Sequence, residues 1–249
     1  MTRRPVTRPP VSPHVPPHVP PHVPPVGTAG PRRLRLLFFG DSITVGFADG
    51  RSRNWVDRLV AAQLRADGDP LQEMRLYNLA IGGDTTGGIA ARWPTEAKVR
   101  RRPGEGFGLV FMFGINDGWY EDSRGRPRVS VGHAAEQAAA IMVAARRMGP
   151  VLWLAPTPVR YVPDTGQGRS VPDRVAAIAR RFAGVAADLA IPYIDLHAGL
   201  DGDAAFDRAL MADDGVHPVP AGHALLARRV RRDPAWTAFL AQARRPVPG

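Results

Sequence analysis

The sequence predicts an α/β fold, a three-layer sandwich in which helices cover both faces of a flavodoxin-like parallel sheet of five strands. Two observations lead to this prediction. From Leu34 onward, short apolar runs alternate with stretches whose apolar residues recur at helical spacing, a pattern typical of parallel strands joined by helical crossovers. Polar clusters follow several of the apolar runs, at the edge where open parallel sheets place their ligands.

The first strand is predicted from Leu34 to Gly40, because a run rich in leucine and phenylalanine stops at a glycine. Four further apolar runs predict the remaining strands, at Met74–Leu79, Leu109–Phe113, Val151–Ala155 and Pro192–Leu196. The strand order 2-1-3-4-5 is expected, since it places the first strand beside the third at the switch point of such sheets.

Helices are predicted where apolar residues return every three or four positions. The first begins at Trp55 and ends near Gly68. The next three are predicted at Ile89–Arg101, Gly132–Met148 and Asp173–Leu189. A last helix is expected after Pro218, because proline suits the first turn of a helix.

Residues 1–31 differ in composition from residues 32–249, which carry the predicted domain. Pro-His-Val-Pro recurs through His14, His18 and His22 in a segment crowded with proline. Such a segment forms neither helices nor sheet ladders. We therefore predict a disordered tail that binds a partner at most weakly, followed by one globular domain.

The net charge of +10 and the pI of about 11.2 raise the question of nucleic acid binding. Lys98 is the only lysine, and the arginines are scattered along the chain. Scattered arginines predict a solvated basic surface and no specific nucleic acid partner.

The composition also excludes some chemistry and some locations. The chain has no cysteine, which excludes disulfides and thiolate catalysis. It has neither an apolar run long enough to span a membrane nor the apolar core of a signal peptide. We expect a cytoplasmic monomer without a transmembrane segment, or a secreted protein if the start codon is misassigned.

Four polar clusters lie where strands end or where the last helix begins: Gly40–Thr44, Asn78–Thr85, Gly114–Asp117 and Asp214–Pro218. Because a parallel sheet brings the carboxyl ends of its strands to one edge, we expect these clusters to lie near one another. Ser42 comes directly after the first strand and is a candidate nucleophile. The alternative role for such a serine is to cap a helix.

Ser42, Gly83, Asn116 and His217 occur in the order and context typical of the SGNH hydrolases, also called GDSL-type esterases and lipases. The chain resembles this family over about residues 34 to 232. It has Gly-Asp-Ser-Ile where the family commonly has Gly-Asp-Ser-Leu. The resemblance implies the SGNH hydrolase fold and a serine esterase that cleaves carboxylic esters or thioesters through an acyl-enzyme, with no metal or cofactor.

Two of the clusters point to a branch of this family. Asn78–Thr85 and Asp213–Pro218 look most like the bacterial thioesterase and lysophospholipase branch. This favours a small-molecule ester or thioester as the substrate. A carbohydrate O-acetyl esterase of the same fold is the alternative.

The resemblance and the chemistry together suggest a role for each catalytic residue. A serine hydroxyl needs a base to take its proton, and His217 is the candidate because imidazole titrates near neutral pH. Asp214, three residues earlier, would hold the other ring nitrogen. Asp213 competes for that role, and the family pattern points to Asp214.

The oxyanion that forms on the attacked carbonyl needs hydrogen-bond donors aimed at it. We expect three: the backbone N–H groups of Ser42 and Gly83 and the side-chain amide of Asn116. Glycine suits the second place because only its backbone is needed there, and a side chain would hinder the substrate.

Two loops are expected to shape the substrate pocket, Trp119–Ser130 and Thr157–Pro172. Trp119, Tyr120 and Tyr161 are the candidate pocket walls, and packing within the loops is the alternative role for all three. A catalytically silent binding domain with a partner-recruiting tail is the competing function. A nucleotide-binding domain is not favoured, because the first strand is not followed by a glycine-rich phosphate loop.

Overall fold

A computed structural model describes residues 32–50, 53–68, 72–121, 125–160 and 170–248. The predictions for residues 1–31 and for Tyr161 lie outside these residues. The described part contains a sheet of five parallel strands. They are β1 (Arg32–Gly40), β2 (Gln72–Asn78), β3 (Gly106–Met112), β4 (Val151–Leu154) and β5 (Tyr193–Ile194).

The strand order is β2-β1-β3-β4-β5, which confirms the predicted order and the α/β class. In the register of the sheet, Phe38 lies opposite Asn78 and Gly40 lies opposite Met112. The carboxyl ends of the three strands β2, β1 and β3 therefore lie side by side. The polar segments that follow these strands leave the sheet at the same edge.

Nine α-helices are found among the described residues. They are α1 (Ser42–Val45), α2 (Trp55–Asp67), α3 (Thr86–Lys98), α4 (Val131–Met148), α5 (Val171–Asp188), α6 (Leu196–Leu200), α7 (Ala204–Met211), α8 (Pro220–Arg232) and α9 (Pro234–Ala243). None of them is long and apolar enough to cross a membrane.

Two apolar clusters, one on each face of the sheet, hold the three layers together. Leu36 and Phe38 of β1 pack in one cluster with residues of α2, α8 and α9. Leu37 and Phe39 belong to the other cluster, with residues of α3, α4 and α5. Alternate residues of a strand point to opposite faces, so the continuous apolar run that predicted β1 reflects burial on both sides.

The structure corrects the sequence prediction in its last third. β5 has only two residues, Tyr193 and Ile194, although a strand from Pro192 to Leu196 was expected. Pro220, not Pro218, occupies the first turn of α8. α8 is not the last helix either, because Asp233 caps a further helix by accepting the Ala235 N–H.

The short helices α6 and α7 were missed because each has too few turns to display a clear helical period. Both are capped by an aspartate side chain, a local feature that the sequence does contain. These two helices carry the chain from the end of β5 to the segment that contains Asp214 and His217.

Candidate active site

A sharp turn after β1 displays Ser42 at the carboxyl edge of the sheet. Asp41 caps α1, its carboxylate accepting the Ile43 N–H at 3.1 Å. Ser42 is the first residue of this helix and keeps 8% of its surface exposed. The turn requires glycine at position 40, where a Cβ would clash with Thr44 Oγ1 and lie 2.6 Å from the Met112 carbonyl oxygen.

A continuous chain of hydrogen bonds joins Ser42, His217 and Asp214. The distance from Ser42 Oγ to His217 Nε2 is 2.8 Å, and these residues are 175 positions apart in the sequence. His217 Nδ1 lies 2.6 Å from Asp214 Oδ2. The structure thus brings the three residues together in the geometry expected for a nucleophile, its base and the group that orients the base.

Asp214 is fixed by three hydrogen bonds. Its Oδ1 accepts the backbone N–H of Val216 at 2.8 Å and that of His217 at 2.7 Å, while Oδ2 faces the imidazole. Partial burial acts to raise the pKa of Asp214, but the hydrogen bonds from His217 and Val216 outweigh it and lower the pKa below its usual value. An ionised carboxylate holds the proton of the imidazole on Nδ1 and leaves the Nε2 lone pair facing Ser42.

Asp213 does not take part in this chain. Within the described part of the protein, its side chain makes no hydrogen bond or ion pair, and it is exposed. The competing assignment left open by the sequence therefore has no structural support in this conformation.

Three free N–H donors belong to the residues predicted for the oxyanion site. The backbone N–H groups of Ser42 and Gly83 donate to no acceptor in the described residues. Gly83 has a φ of 86°, a left-handed conformation that favours glycine. Asn116 Nδ2 donates one hydrogen to the Asp84 carbonyl at 3.0 Å, which fixes the amide and leaves its second hydrogen available.

Buried side chains fasten these loops to one another. The carboxylate of Asp117 accepts the Thr86 N–H at 3.1 Å and the Thr86 hydroxyl at 2.6 Å, and so ties the loop after β3 to the start of α3. Arg174 of α5 donates to the carbonyls of Asp117 and Gly118. Arg174 could not be predicted from the sequence as a residue of this site, because nothing in the local pattern of α5 distinguishes it from other arginines.

Asp41 lies beneath the nucleophile and is 1% exposed. Burial raises the pKa of Asp41 to about 7, the N–H of Ile43 acts to lower it, and the nearby carboxylates of Asp117 and Asp84 add to the increase. Asp84 itself is paired with Arg92 at 2.7 Å. Arg92 thereby fixes the side chain that follows Gly83.

Trp119 and Tyr120, the two candidates for the pocket wall that lie among the described residues, are partly buried against the rest of the protein. Both pack against the cluster that contains Leu36. The guanidinium of Arg174 lies 5.3 Å from the centre of the Tyr120 ring. Their predicted contact with substrate stays a prediction.

One group of side chains among the described residues has the spacing of metal ligands. Donor atoms of Asp213, Asp214 and His217 lie within 4.8 Å of one another. Asp214 already accepts three hydrogen bonds, and His217 faces Ser42. A cation bound by these groups would have to break the chain of hydrogen bonds, so this cluster does not fit a metal site well.

His223 of α8 is a buried histidine that the sequence analysis did not single out. It is fully buried, and its Nε2 donates to the Phe47 carbonyl at 3.2 Å, which leaves Nδ1 without a partner in the described residues. Burial lowers the pKa of His223 below 6.5; the Phe47 carbonyl and Asp49 oppose this, whereas Arg58 and His217 add to it.

The pKa of His223 predicts a pH dependence of stability. In the unfolded chain His223 takes up a proton near pH 6.5, whereas in the folded protein it takes up that proton only at a lower pH. The free energy of unfolding should therefore fall as the pH drops through 6.5. The loss attributable to this residue is at most about 1.4 kcal/mol per pH unit. Urea unfolding at pH 7.5 and 5.5 should show a steeper loss in the wild type than in His223→Gln. If the free energy of unfolding falls equally with pH in the two proteins, this role of His223 is contradicted.

The parallel α/β sheet carries a serine, a histidine and an aspartate aligned at its carboxyl edge, an arrangement typical of the class of hydrolases that use a serine nucleophile. The comparisons with known proteins agree with that class. The chain belongs to the GDSL-like Lipase/Acylhydrolase family, whose family model matches residues 38–225. This match confirms the resemblance seen in the sequence, while the assignment to the thioesterase branch stays a prediction.

Solved structures show the same fold. A lipase/acylhydrolase from Enterococcus faecalis has a TM-score of 0.65 and 24% sequence identity, with 86% of this chain and 100% of that chain covered. An acetylxylan esterase from Geobacillus stearothermophilus has a TM-score of 0.61 and 22% identity, with 80% and 93% covered. Among curated protein sequences, none is significantly similar.

Proposed function

We propose that this protein hydrolyses small carboxylic esters or thioesters through an acyl-enzyme on Ser42. His217 Nε2 takes the proton of the Ser42 hydroxyl as Oγ forms a bond to the carbonyl carbon. The tetrahedral intermediate then collapses, and the bond to the leaving group breaks as that group receives the proton from Nε2. A water molecule repeats the sequence on the acyl-enzyme, releasing the acid and returning the proton to Ser42.

Asp214 and the three donors have separate roles in this proposal. Asp214 holds the imidazole in place and stabilises it when it carries two protons. The N–H groups of Ser42 and Gly83 and the free N–H of Asn116 stabilise the negative charge on the carbonyl oxygen. Because these donors are fixed before the reaction, they need little reorganisation as the charge develops.

The observation that carries the proposal is the chain of hydrogen bonds from Asp214 through His217 to Ser42. Each of the three is matched to its task, since a hydroxyl alone is a weak nucleophile and becomes reactive beside a base that is itself oriented. Ser42 and His217 are 175 positions apart in the sequence, yet the hydroxyl and the ring nitrogen lie within hydrogen-bond distance at the edge of the sheet where a substrate would bind.

Labelling and a substrate panel test the proposal. A fluorophosphonate probe should add to the folded protein at Ser42, as found by mass spectrometry of the labelled peptide. p-Nitrophenyl esters of rising acyl length, an acyl thioester and an acetylated sugar should then be compared by kcat/KM. If the folded protein is not labelled and hydrolyses none of these substrates, a silent binding domain is favoured.

The acetylated sugar belongs in the panel because carbohydrate O-deacetylation is the other reaction considered for this site. An acetylxylan esterase is among the proteins of similar fold, and at this level of identity the likeness concerns the fold alone. A clear preference for the sugar acetate over simple esters and thioesters would replace the substrate class proposed here.

Asn116→Ala should lower kcat by about 10²–10³-fold while KM changes little, because the donor acts mainly on the oxyanion of the transition state. Steady-state kinetics on one p-nitrophenyl ester measure both constants. Since the substitution also removes the hydrogen bond to the Asp84 carbonyl, the midpoint of thermal unfolding should be compared with that of the wild type. An increase in KM with an unchanged kcat would argue for ground-state binding instead.

A further inference from the structure

An exposed aromatic side chain, Phe47, adjoins the proposed catalytic groups. It is 47% exposed, one of five large hydrophobic side chains that are exposed in the described part of the chain. Its ring centre lies 5.5 Å from that of His217, with an angle of 39° between the planes. A single exposed apolar side chain is common on protein surfaces, so the position of Phe47 beside His217, and not its exposure alone, is the observation that matters.

The same ring extends toward the proposed oxyanion site. A Cβ at Gly82 would lie 2.8 Å from Phe47 Cζ, so the tip of the ring rests on the backbone just before Gly83. The backbone N–H of Phe47 donates to the Ser42 carbonyl at 3.1 Å. Phe47 is thus fixed relative to the nucleophile, the base and the oxyanion donors together.

Buried groups hold the Phe47 loop from behind. His223 Nε2 donates to the Phe47 carbonyl at 3.2 Å. Asp49, which is 2% exposed, accepts from Arg58 at 3.1 Å, and its own N–H donates to the Gly46 carbonyl. A loop anchored in this way presents the ring in one position, which reduces the entropy lost when a ligand binds to it.

The chemistry of the proposed reaction decides which part of the substrate meets this ring. His217 Nε2 must give its proton to the leaving-group oxygen or sulfur, so the leaving group lies on the histidine side of the carbonyl carbon. The acyl group occupies a different direction of the tetrahedral intermediate. Phe47 packs against His217 and therefore lies beside the leaving group.

We propose that Phe47 is a specificity-determining residue that binds the apolar face of the leaving group, and that His223 is the positioning residue that holds it. The inference rests on the proposed function, since it requires an ester to be bound at Ser42. It identifies the preferred substrates as esters or thioesters whose leaving group offers a flat or extended apolar face next to the scissile bond. The ring of Phe47 would stack on such a face.

Benzyl acetate and methyl acetate test this inference, because they share the acyl group and their leaving alcohols have similar basicity. In Phe47→Ala the ratio of kcat/KM for benzyl acetate to that for methyl acetate should fall about tenfold, the size expected for the loss of one aromatic contact. Phe47→Tyr should keep the wild-type ratio. The ratio of kcat/KM for methyl butyrate to that for methyl acetate should not fall in Phe47→Ala, because the acyl group points away from Phe47.

Val99→Ala is the matched control. Val99 is 55% exposed and is the C-cap residue that follows α3. α3 starts at the edge of the sheet that carries the site and runs away from it. This variant should keep both ratios. An unchanged benzyl ratio in Phe47→Ala would overturn the inference, and so would a fall confined to the butyrate ratio, which would make Phe47 an acyl-side wall.

The role of His223 has its own test. His223→Leu removes the donor to the Phe47 carbonyl and should lower the benzyl ratio, whereas His223→Gln can still donate and should restore it. In the double variant Phe47→Ala with His223→Leu, the ratio should fall no further than in Phe47→Ala alone. Additive losses would overturn the positioning role.

These outcomes are distinct from failure of the proposed function. If that function is wrong, the folded wild type will hydrolyse none of the acetates and Ser42 will not be labelled by a fluorophosphonate. If only the inference about Phe47 is wrong, the wild type and Phe47→Ala will both be labelled and active, and their ratios of kcat/KM for benzyl acetate to that for methyl acetate will be equal.

Discussion

Ser42→Ala is expected to lower kcat for ester hydrolysis by on the order of 10⁶-fold and to abolish fluorophosphonate labelling. Among the described residues, the hydroxyl of Ser42 is the only one within hydrogen-bond distance of His217 Nε2. Without it there is no group to form the acyl-enzyme, and only the oxyanion donors and substrate binding can still assist the attack of water. Pre-steady-state kinetics with a p-nitrophenyl ester should also show the loss of any burst.

Ser130→Ala is a suitable control for this substitution. The Ser130 hydroxyl accepts the His133 N–H at the start of α4, and among the described residues no imidazole nitrogen is hydrogen-bonded to it. Its loss should cost about 1 kcal/mol of stability and leave labelling intact. If Ser42→Ala keeps wild-type turnover while remaining folded, the nucleophile lies elsewhere and the proposed mechanism is wrong.

The strands of the sheet could be predicted because their evidence is local, and their order followed from the general topology of open parallel sheets. The apolar runs of β1 and β3 each end at a glycine with polar residues close behind it, and the run of β4 ends before a proline, Pro156. The bounds were less accurate where packing decides them: β1 starts at Arg32, before the apolar run begins, since pairing with β2 continues to Arg32 itself. β5 is short because only two of its residues pair with β4.

The residues of the candidate site also divide into those that a local motif identifies and those that only tertiary contacts reveal. Ser42, Asn116 and His217 stand in recognisable motifs, so the sequence could name them before any coordinates were considered. Spacing alone left both Asp213 and Asp214 open, and the resemblance and then the geometry distinguished them. Phe47 and His223 were missed because their contact joins positions 176 residues apart, and neither belongs to a motif.

Asp214→Asn is expected to lower kcat by on the order of 10⁴-fold while leaving the fold intact. Asp214 Oδ1 accepts two backbone N–H groups, so the asparagine carbonyl would keep that position and its NH₂ would face His217 Nδ1. Two donors would then meet, and the imidazole would move its proton to Nε2 to become an acceptor at Nδ1. In that tautomer Nε2 donates toward Ser42 and is unable to take its proton.

Asp213→Asn makes the same chemical change one residue earlier and should leave kcat within about twofold, because exposed substitutions away from partners have small effects. Both variants should be measured on the same ester and unfolded by heat, since similar midpoints would assign the difference in rate to the imidazole and not to folding. Equal losses in the two variants, or a larger loss in Asp213→Asn, would mean that the carboxylate bonded to His217 in this structure is not the one that orients it during the reaction.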